Sequence, residues 1–184
     1  MRILAVEDGG FKVGLPGKRK EKALLIGVVT LKFKIQTILF TRVMVDGLDV
    51  TPKLIEMIKN KRSKPDLVFL ASISYAGFNL VNLVQVYDRL RIPIIVANRK
   101  EPREDAVEDA LLNHFPDWKE RLKIIDDVGK PEKLTTSNGE TIYGHVIGIS
   151  KEEAINKLEK LTVFGKLPEP LRIAHILAHE LSKC

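Results

Sequence analysis

The sequence predicts an α/β protein on a mixed sheet, in which three antiparallel strands are followed by alternating helices and parallel strands. Three observations predict it. A short apolar run, Arg2 to Glu7 (RILAVE), ends in two carboxylates and two glycines, as a buried strand entering a turn does. Two long β-rich runs follow, Lys22 to Lys34 and Ile35 to Val45, with so little between them that they pair as an antiparallel hairpin or a bent ribbon. From residue 46 onward, helical spacing alternates with short, fully apolar runs of the kind that central parallel strands carry.

Along the chain, Phe11 to Glu21 carries Gly14, Pro16 and Gly17 and reads as a loop. Asp46-Gly47-Leu48-Asp49 makes a turn. Thr51 and Pro52 then supply an N-cap and a first-turn proline, and Leu54, Ile55 and Ile58 give helical spacing up to Lys61. Asp66 to Ala71 is the fourth strand, Ser72 to Gly77 a small-residue loop, and about Asn79 to Arg89 a helix with Leu80, Leu83, Val84 and Tyr87 on its apolar face. Ile92 to Ala97 is the fifth strand and Glu104 to Phe115 the next helix. Beyond Trp118, Leu122 to Ile125 and Thr141 to Ile149 read as strands. Ser150 caps a helix through Leu161, with Glu152 and Glu153 near its positive end, and Pro170 opens a last helix to about Ser182. Three antiparallel strands feeding an alternating α/β half is the ribonuclease H-like order, whereas a doubly wound sheet alternates from its first strand. Neither GxGxxG nor GxxxxGK[ST] occurs, which removes the main support for Rossmann and P-loop readings.

Length and composition agree with one domain over residues 1–184. The chain is 45% apolar and 29% charged, a globular balance, and no apolar run approaches the roughly 20 residues of a spanning helix. No membrane association is expected. The single cysteine, Cys184, leaves no internal disulfide and no cysteine-ligated zinc site; with no stretch that reads as a secretory leader, a cytoplasmic setting is expected. A net charge of +6 and a pI near 9.4 suit a polyanionic partner. The cations gather at Lys18, Arg19, Lys20 and Lys22 and again at Lys59, Lys61, Arg62 and Lys64, which equally describes solvated loops and helix ends.

Four groups of residues can carry chemistry. Glu7-Asp8 puts two carboxylates at the rim of a sheet, where a hard cation such as Mg²⁺ or Mn²⁺ finds oxygen ligands; the plainer reading is a strand end making turn hydrogen bonds. Asp46 and Asp49 follow the third strand. They serve either as turn and cap residues or as further carboxylates meeting Glu7 and Asp8. His175 and His179 share one helix face, but Ile176 stands where the HExxH glutamate belongs, so zinc is not expected; a histidine beside a carboxylate cluster can still ligate a metal or carry a proton. Ser72, Ser74, Tyr75, Asn79 and Asn82 around the fourth-strand loop, with Arg99-Lys100 after the fifth strand, could meet phosphate.

Several of these blocks together resemble one family. RILAVEDGGF, VMVDGLDVT, SISYAGFNLVNL, IPIIVANRKEP and LPEPLRIAHILA look like those of the archaeal endonuclease dU family, a distant relative of endonuclease V, and they run from residue 2 to about 180. The segments LPEPLRIAH and IPIIVANRK resemble endonuclease V itself. The resemblance implies a Mg²⁺- or Mn²⁺-dependent endonuclease that cuts nucleic acid, DNA favoured, near deaminated bases such as uracil or hypoxanthine. It also implies a strand-one acid at Glu7 or Asp8, an acid after the third strand near Asp46 or Asp49, a basic residue at Arg99 or Lys100, and His175 near the metal. On it, the metal set is Glu7, Asp8 and Asp49, and the nucleic-acid contacts are Arg99, Lys100, Ser72, Asn79 and Arg172. The chain departs from the pattern at Leu70-Ala71-Ser72, where endonuclease V has an aspartate-glycine pair, and at Asn82, where an aspartate is expected. A catalytically inactive nucleic-acid-binding protein and a structural or regulatory partner are the two alternatives.

Overall fold

The computed structural model describes residues 1–11, 16, 21–59 and 64–183. Most of the two basic clusters (Lys18, Arg19, Lys20, Lys61 and Arg62) and Cys184 lie outside the described residues. Strand β1 (Arg2–Asp8) is central. On one side it pairs antiparallel with β2 (Lys22–Leu31), Ile3 opposite Thr30 and Asp8 opposite Leu25. β2 continues through a two-residue turn, Lys32 taking a left-handed φ of 54°, into antiparallel β3 (Lys34–Met44). On the other side of β1 lie β4 (Leu67–Leu70) and β7 (Ile94–Val96), both parallel, and then antiparallel β10 (Val146–Ile147). The six-strand order is β10-β7-β4-β1-β2-β3.

Strand alternation sorts the apolar residues onto two faces. Leu4, Val6, Val68, Leu70, Ile94 and Val96 pack against helices α1 (Val50–Lys59) and α2 (Leu83–Leu90). Ile3, Ala5, Ile26, Val28, Phe69 and Ile95 pack against α5 (Lys151–Leu161) and α6 (Glu169–Leu181). Both faces of β4 are covered, so all four of its residues are buried and its sequence shows no alternation. α6 crosses β1 and β2 on buried Ala174 and Ala178, small enough for close approach. A side chain on Gly9 would lie 2.8 Å from Ser182 Cβ and 3.1 Å from the Ala178 carbonyl oxygen, so a glycine is needed where β1 exits against the last turn of α6.

Four elements differ from the sequence prediction. The helix expected from Asn79 begins at Leu83, capped by Asn82, whose side chain accepts the Gln85 N–H; Asn79 belongs to a small hairpin, β5 (Ser74–Tyr75) with β6 (Asn79–Leu80). Leu122 to Ile125 is no strand. It lies inside α4 (Trp118–Val128), which packs on α3 (Glu104–His114), because Arg121 and its partners fix that segment as helix. The run Thr141 to Ile149 divides at His145 into β9 (Thr141–Gly144), paired with β8 (Glu132–Thr135), and β10 on the main sheet. Thr51 does not cap α1, which starts one residue earlier. Its hydroxyl accepts the Asn82 N–H and donates to the Leu80 carbonyl, while Asn79 Oδ1 accepts the N–H of Val50.

The cap at Ser150 is present as a capping box: Ser150 Oγ accepts the Glu153 N–H at 3.2 Å, and Glu153 reaches back to the Ser150 N–H. Ser150→Ala is expected to cost about 1 kcal/mol in chemical denaturation, with the slope against denaturant unchanged.

Candidate active site at the rim of the central strand

Successive side chains of β1 point to opposite faces, so Glu7 and Asp8 leave the rim in different directions. Glu7 follows Ile3 and Ala5 onto the α6 face, where its Oε2 lies 3.3 Å from Nδ1 of His175. Its Oε1 turns back to accept the N–H of Asp8 at 3.2 Å. Asp8 follows Leu4 and Val6 onto the other face, where its Oδ2 accepts the N–H of Ala76 at 2.6 Å from the β5–β6 hairpin. α6 delivers His175 because Pro170 starts it and its Ala174–Ala178 face is pinned to the sheet; His175 is exposed beside the buried stripe.

Burial, and then the neighbouring charge of Asp8, push the Glu7 carboxyl up to about 8. Burial also raises Asp8, opposed by the Ala76 N–H and by His175. The charge of Arg99 acts on Glu7 in the opposite sense to burial. Two adjacent, partly buried carboxyl groups with only partial cationic compensation form a site that favours added positive charge. Their hard oxygen donors suit Mg²⁺ or Mn²⁺, since such ions are commonly held by one or two carboxylates together with water and substrate phosphate. On this donor chemistry the pair fits a divalent cation.

The other predicted ligands are not gathered there. Among the described residues, no three His, Cys, Asp or Glu side chains form a metal-holding group. Asp49 Oδ1 accepts the Met44 N–H and the Asn79 side-chain amide, at 3.0 and 2.7 Å. Asp46 is buried, has φ 57°, and accepts the Phe78 N–H at 3.0 Å. Both serve the turn and the hairpin. Asn79, expected to meet nucleic acid, is completely buried. Its amide joins the Met44 carbonyl, Asp49 and the Val50 N–H, so it is a strut of the fold and not a surface contact. Ser72, at the end of β4, is partly buried and accepts the Ser74 N–H at 3.0 Å. Arg172 makes a two-pronged pair with Glu169 on its own helix, and Arg99 and Lys100 are exposed just beyond β7.

Two residues that matter to this rim were not assigned their roles from the sequence. Arg121 is 3% exposed; it donates to the carbonyls of Asp46, Gly47 and Phe78, pairs with Asp117 and stacks over Phe115. The spacing of Asp117 and Arg121, four apart, is the signal that could have marked the segment as helix. Tyr75, expected with its loop neighbours to meet phosphate, is instead a buried side chain whose hydroxyl donates to the carbonyl of Val6, just before Glu7-Asp8.

A central strand ending in two carboxylates, flanked by an antiparallel hairpin on one side and parallel strands on the other, with a C-terminal helix bringing a histidine to the rim, defines a ribonuclease H-like fold with a candidate cation site. The chain belongs to the endonuclease dU family, whose model matches residues 1–182. It is 36% identical over 181 residues to a UPF0215 protein of Pyrococcus furiosus, covering 97% of this chain and 90% of that one. A crystal structure of a protein of unknown function from Archaeoglobus fulgidus is similar at TM-score 0.84 and 30% identity, over 98% of this chain and 97% of that one. Endonuclease V of Ciona intestinalis, solved with DNA containing an inosine followed by a ribo-adenosine, shares the fold at TM-score 0.62 and 13% identity, over 99% of this chain and 86% of that one. No helix among the described residues is long and apolar enough to cross a membrane.

Proposed function

We propose that this chain is a divalent-metal-dependent endonuclease of nucleic-acid repair, a single cytoplasmic domain cutting DNA near deaminated bases, uracil or hypoxanthine. The observation that carries the reading is the partly buried Glu7-Asp8 pair at the rim of β1 with His175 at 3.3 Å, in a chain of the endonuclease dU family. Glu7 and Asp8 would hold Mg²⁺ or Mn²⁺. Such an ion lowers the pKa of water and neutralises charge on a phosphoryl oxygen in an in-line displacement. The Ala76 N–H fixes the Asp8 carboxyl through Oδ2 and would orient it towards such an ion. The contact at Nδ1 orients the His175 ring, so Nε2 is the atom to take or give a proton at the substrate oxygens. Arg99 and Lys100, exposed just beyond β7, two strands from β1, would bind phosphate.

The reading predicts cutting of labelled uracil- or hypoxanthine-containing oligonucleotides with Mg²⁺ or Mn²⁺, no cutting in EDTA, and none on the undamaged strand. A second reading, a protein that binds nucleic acid without cutting it, is favoured by the lack of a third gathered ligand among the described residues. Salt-dependent binding with no cleavage under either metal would select it and overturn the first. No binding even at low salt would leave only a structural or regulatory role.

A further inference from the structure

Tyr75 is 1% exposed, and its hydroxyl sits where β1 and β4 part. The parallel ladder between these strands ends at Val6 opposite Leu70. One residue beyond, the Tyr75 hydroxyl donates to the Val6 carbonyl at 3.1 Å and accepts the Ala71 N–H at 3.2 Å. The same Ala71 N–H also donates to the Val6 carbonyl at 3.3 Å, so the hydroxyl bridges both groups of the last rung and holds the two strand ends together. Val6 directly precedes Glu7-Asp8. The residue after Tyr75 is Ala76, whose N–H holds Asp8 Oδ2 and whose φ of 44° is left-handed. A non-glycine residue keeps that conformation only where its surroundings impose it. Here the hairpin is clamped on both sides: the Tyr75 hydroxyl ties it to β1 and β4, and the Asp46 N–H donates to the Ala76 carbonyl at 2.8 Å.

We infer that Tyr75 is a positioning residue for the acidic rim, its hydroxyl setting the register between the end of β1 and the Ala76 N–H that orients the Asp8 carboxylate. The ring fills the core; the hydroxyl serves the site. Its purpose rests on the endonuclease reading, whereas its geometry does not. Burial and the charges of Glu7 and Asp8 hold the phenol well above its ordinary value, so it acts as a neutral donor and acceptor and not as an acid.

Tyr75→Phe keeps the ring and removes only the hydroxyl. Three measurements on it test the inference. First, in metal-free protein, hydrogen exchange at the Ala76 and Ala71 amides is expected to rise about tenfold or more, with Leu4 and Val68 unchanged. Second, Mn²⁺ affinity by calorimetry is expected to fall at least about tenfold, as for outer partners of a metal site. Third, cleavage is expected to lose kcat with oligonucleotide affinity retained. Phe69→Leu, a core change on the opposite face of β4, is the control and should leave Ala76 exchange and Mn²⁺ affinity near wild type. Wild-type Ala76 exchange in Tyr75→Phe, or equal losses in Phe69→Leu, would overturn the inference. If the wild type neither binds Mn²⁺ nor cuts, the endonuclease reading fails, and Ala76 exchange alone still decides the role of the hydroxyl.

Discussion

Asp8→Asn is expected to lower lesion-directed cleavage by more than about a hundredfold, because even residues one shell behind a metal cost 10- to 100-fold when changed. That loss corresponds to at least about 2.7 kcal/mol of transition-state stabilisation. The substitution is nearly isosteric, and the asparagine oxygen can still accept the Ala76 N–H that Asp8 Oδ2 accepts at 2.6 Å. What it removes is the charge of one of two adjacent, partly buried carboxyl groups, each of which the site already pushes towards its neutral form. In metal-free protein the folded state therefore has less charge repulsion and desolvation to overcome, and the melting temperature should hold or rise. Addition of Mn²⁺ should raise the wild-type melting temperature and leave that of Asp8→Asn in place, since only an ion that binds the folded state stabilises it. Cleavage gels together with paired melts, with and without the ion, check both halves. Equal cutting by the variant, or equal stabilisation by Mn²⁺, would remove Asp8 from the site.

Arg121→Ala is expected to destabilise the fold by about 3–5 kcal/mol, because three inward carbonyls lose their donor at about 1–3 kcal/mol each, while the partly exposed Asp117 can turn to water. It strips hydrogen bonds from the carbonyls of Asp46, Gly47 and Phe78 and leaves a void beside Phe115, whose ring centre lies 4.3 Å from the guanidinium carbon. For a chain of this size, each kcal/mol moves the melting temperature by roughly 2–4 °C, so a drop of about 10 °C or more is expected. Lysine should not rescue it, because a single ammonium cannot span three carbonyls and the Asp117 carboxylate. The pair also sets a pH dependence. Hydrogen bonding to Arg121 holds the Asp117 carboxyl below its ordinary 3.8. A depressed carboxylate contributes stability that is present above 3.8 and lost as pH falls through the folded value. The stability gap between wild type and Arg121→Ala should therefore narrow on acidification below pH 4. A gap independent of pH would mean that the three carbonyls, and not the Asp117 pair, carry the whole effect.

Much of the fold is legible because it follows from local periodicity. Ile3 to Val6 and Leu67 to Leu70 are apolar without interruption and form the central parallel pair, and Lys22 to Val45 is β-rich throughout and forms the hairpin beside it. Ser150 and Pro170 mark their helix starts through chemistry confined to one turn. The misread elements are those in which a distant residue overrides local preference. Asn79 looks like a helix opening in SISYAGFNLVNL, yet its side chain bonds the end of β3 and the start of α1, and the helix waits for Asn82. Leu122 to Ile125 has a strand's composition, but Arg121 anchors the segment as helix against the Asp46–Gly47 turn.

The candidate site divides in the same way. That a buried strand ends in Glu7-Asp8, and that a proline-led helix carries His175, can be read from the residues alone, because each is a property of a short stretch. Their meeting is a product of packing: α6 lies across β1 on Ala174 and Ala178, which brings together residues 168 positions apart at 3.3 Å. Packing likewise decided that Asp46, Asp49 and Asn79 support the turn and hairpin, and that Tyr75 stands beneath the rim. Carboxylates, amides and hydroxyls serve as ligands or as hydrogen-bond struts with equal ease. Which they become depends on the neighbours that the folded chain supplies, and strand and helix periodicity do not encode those neighbours.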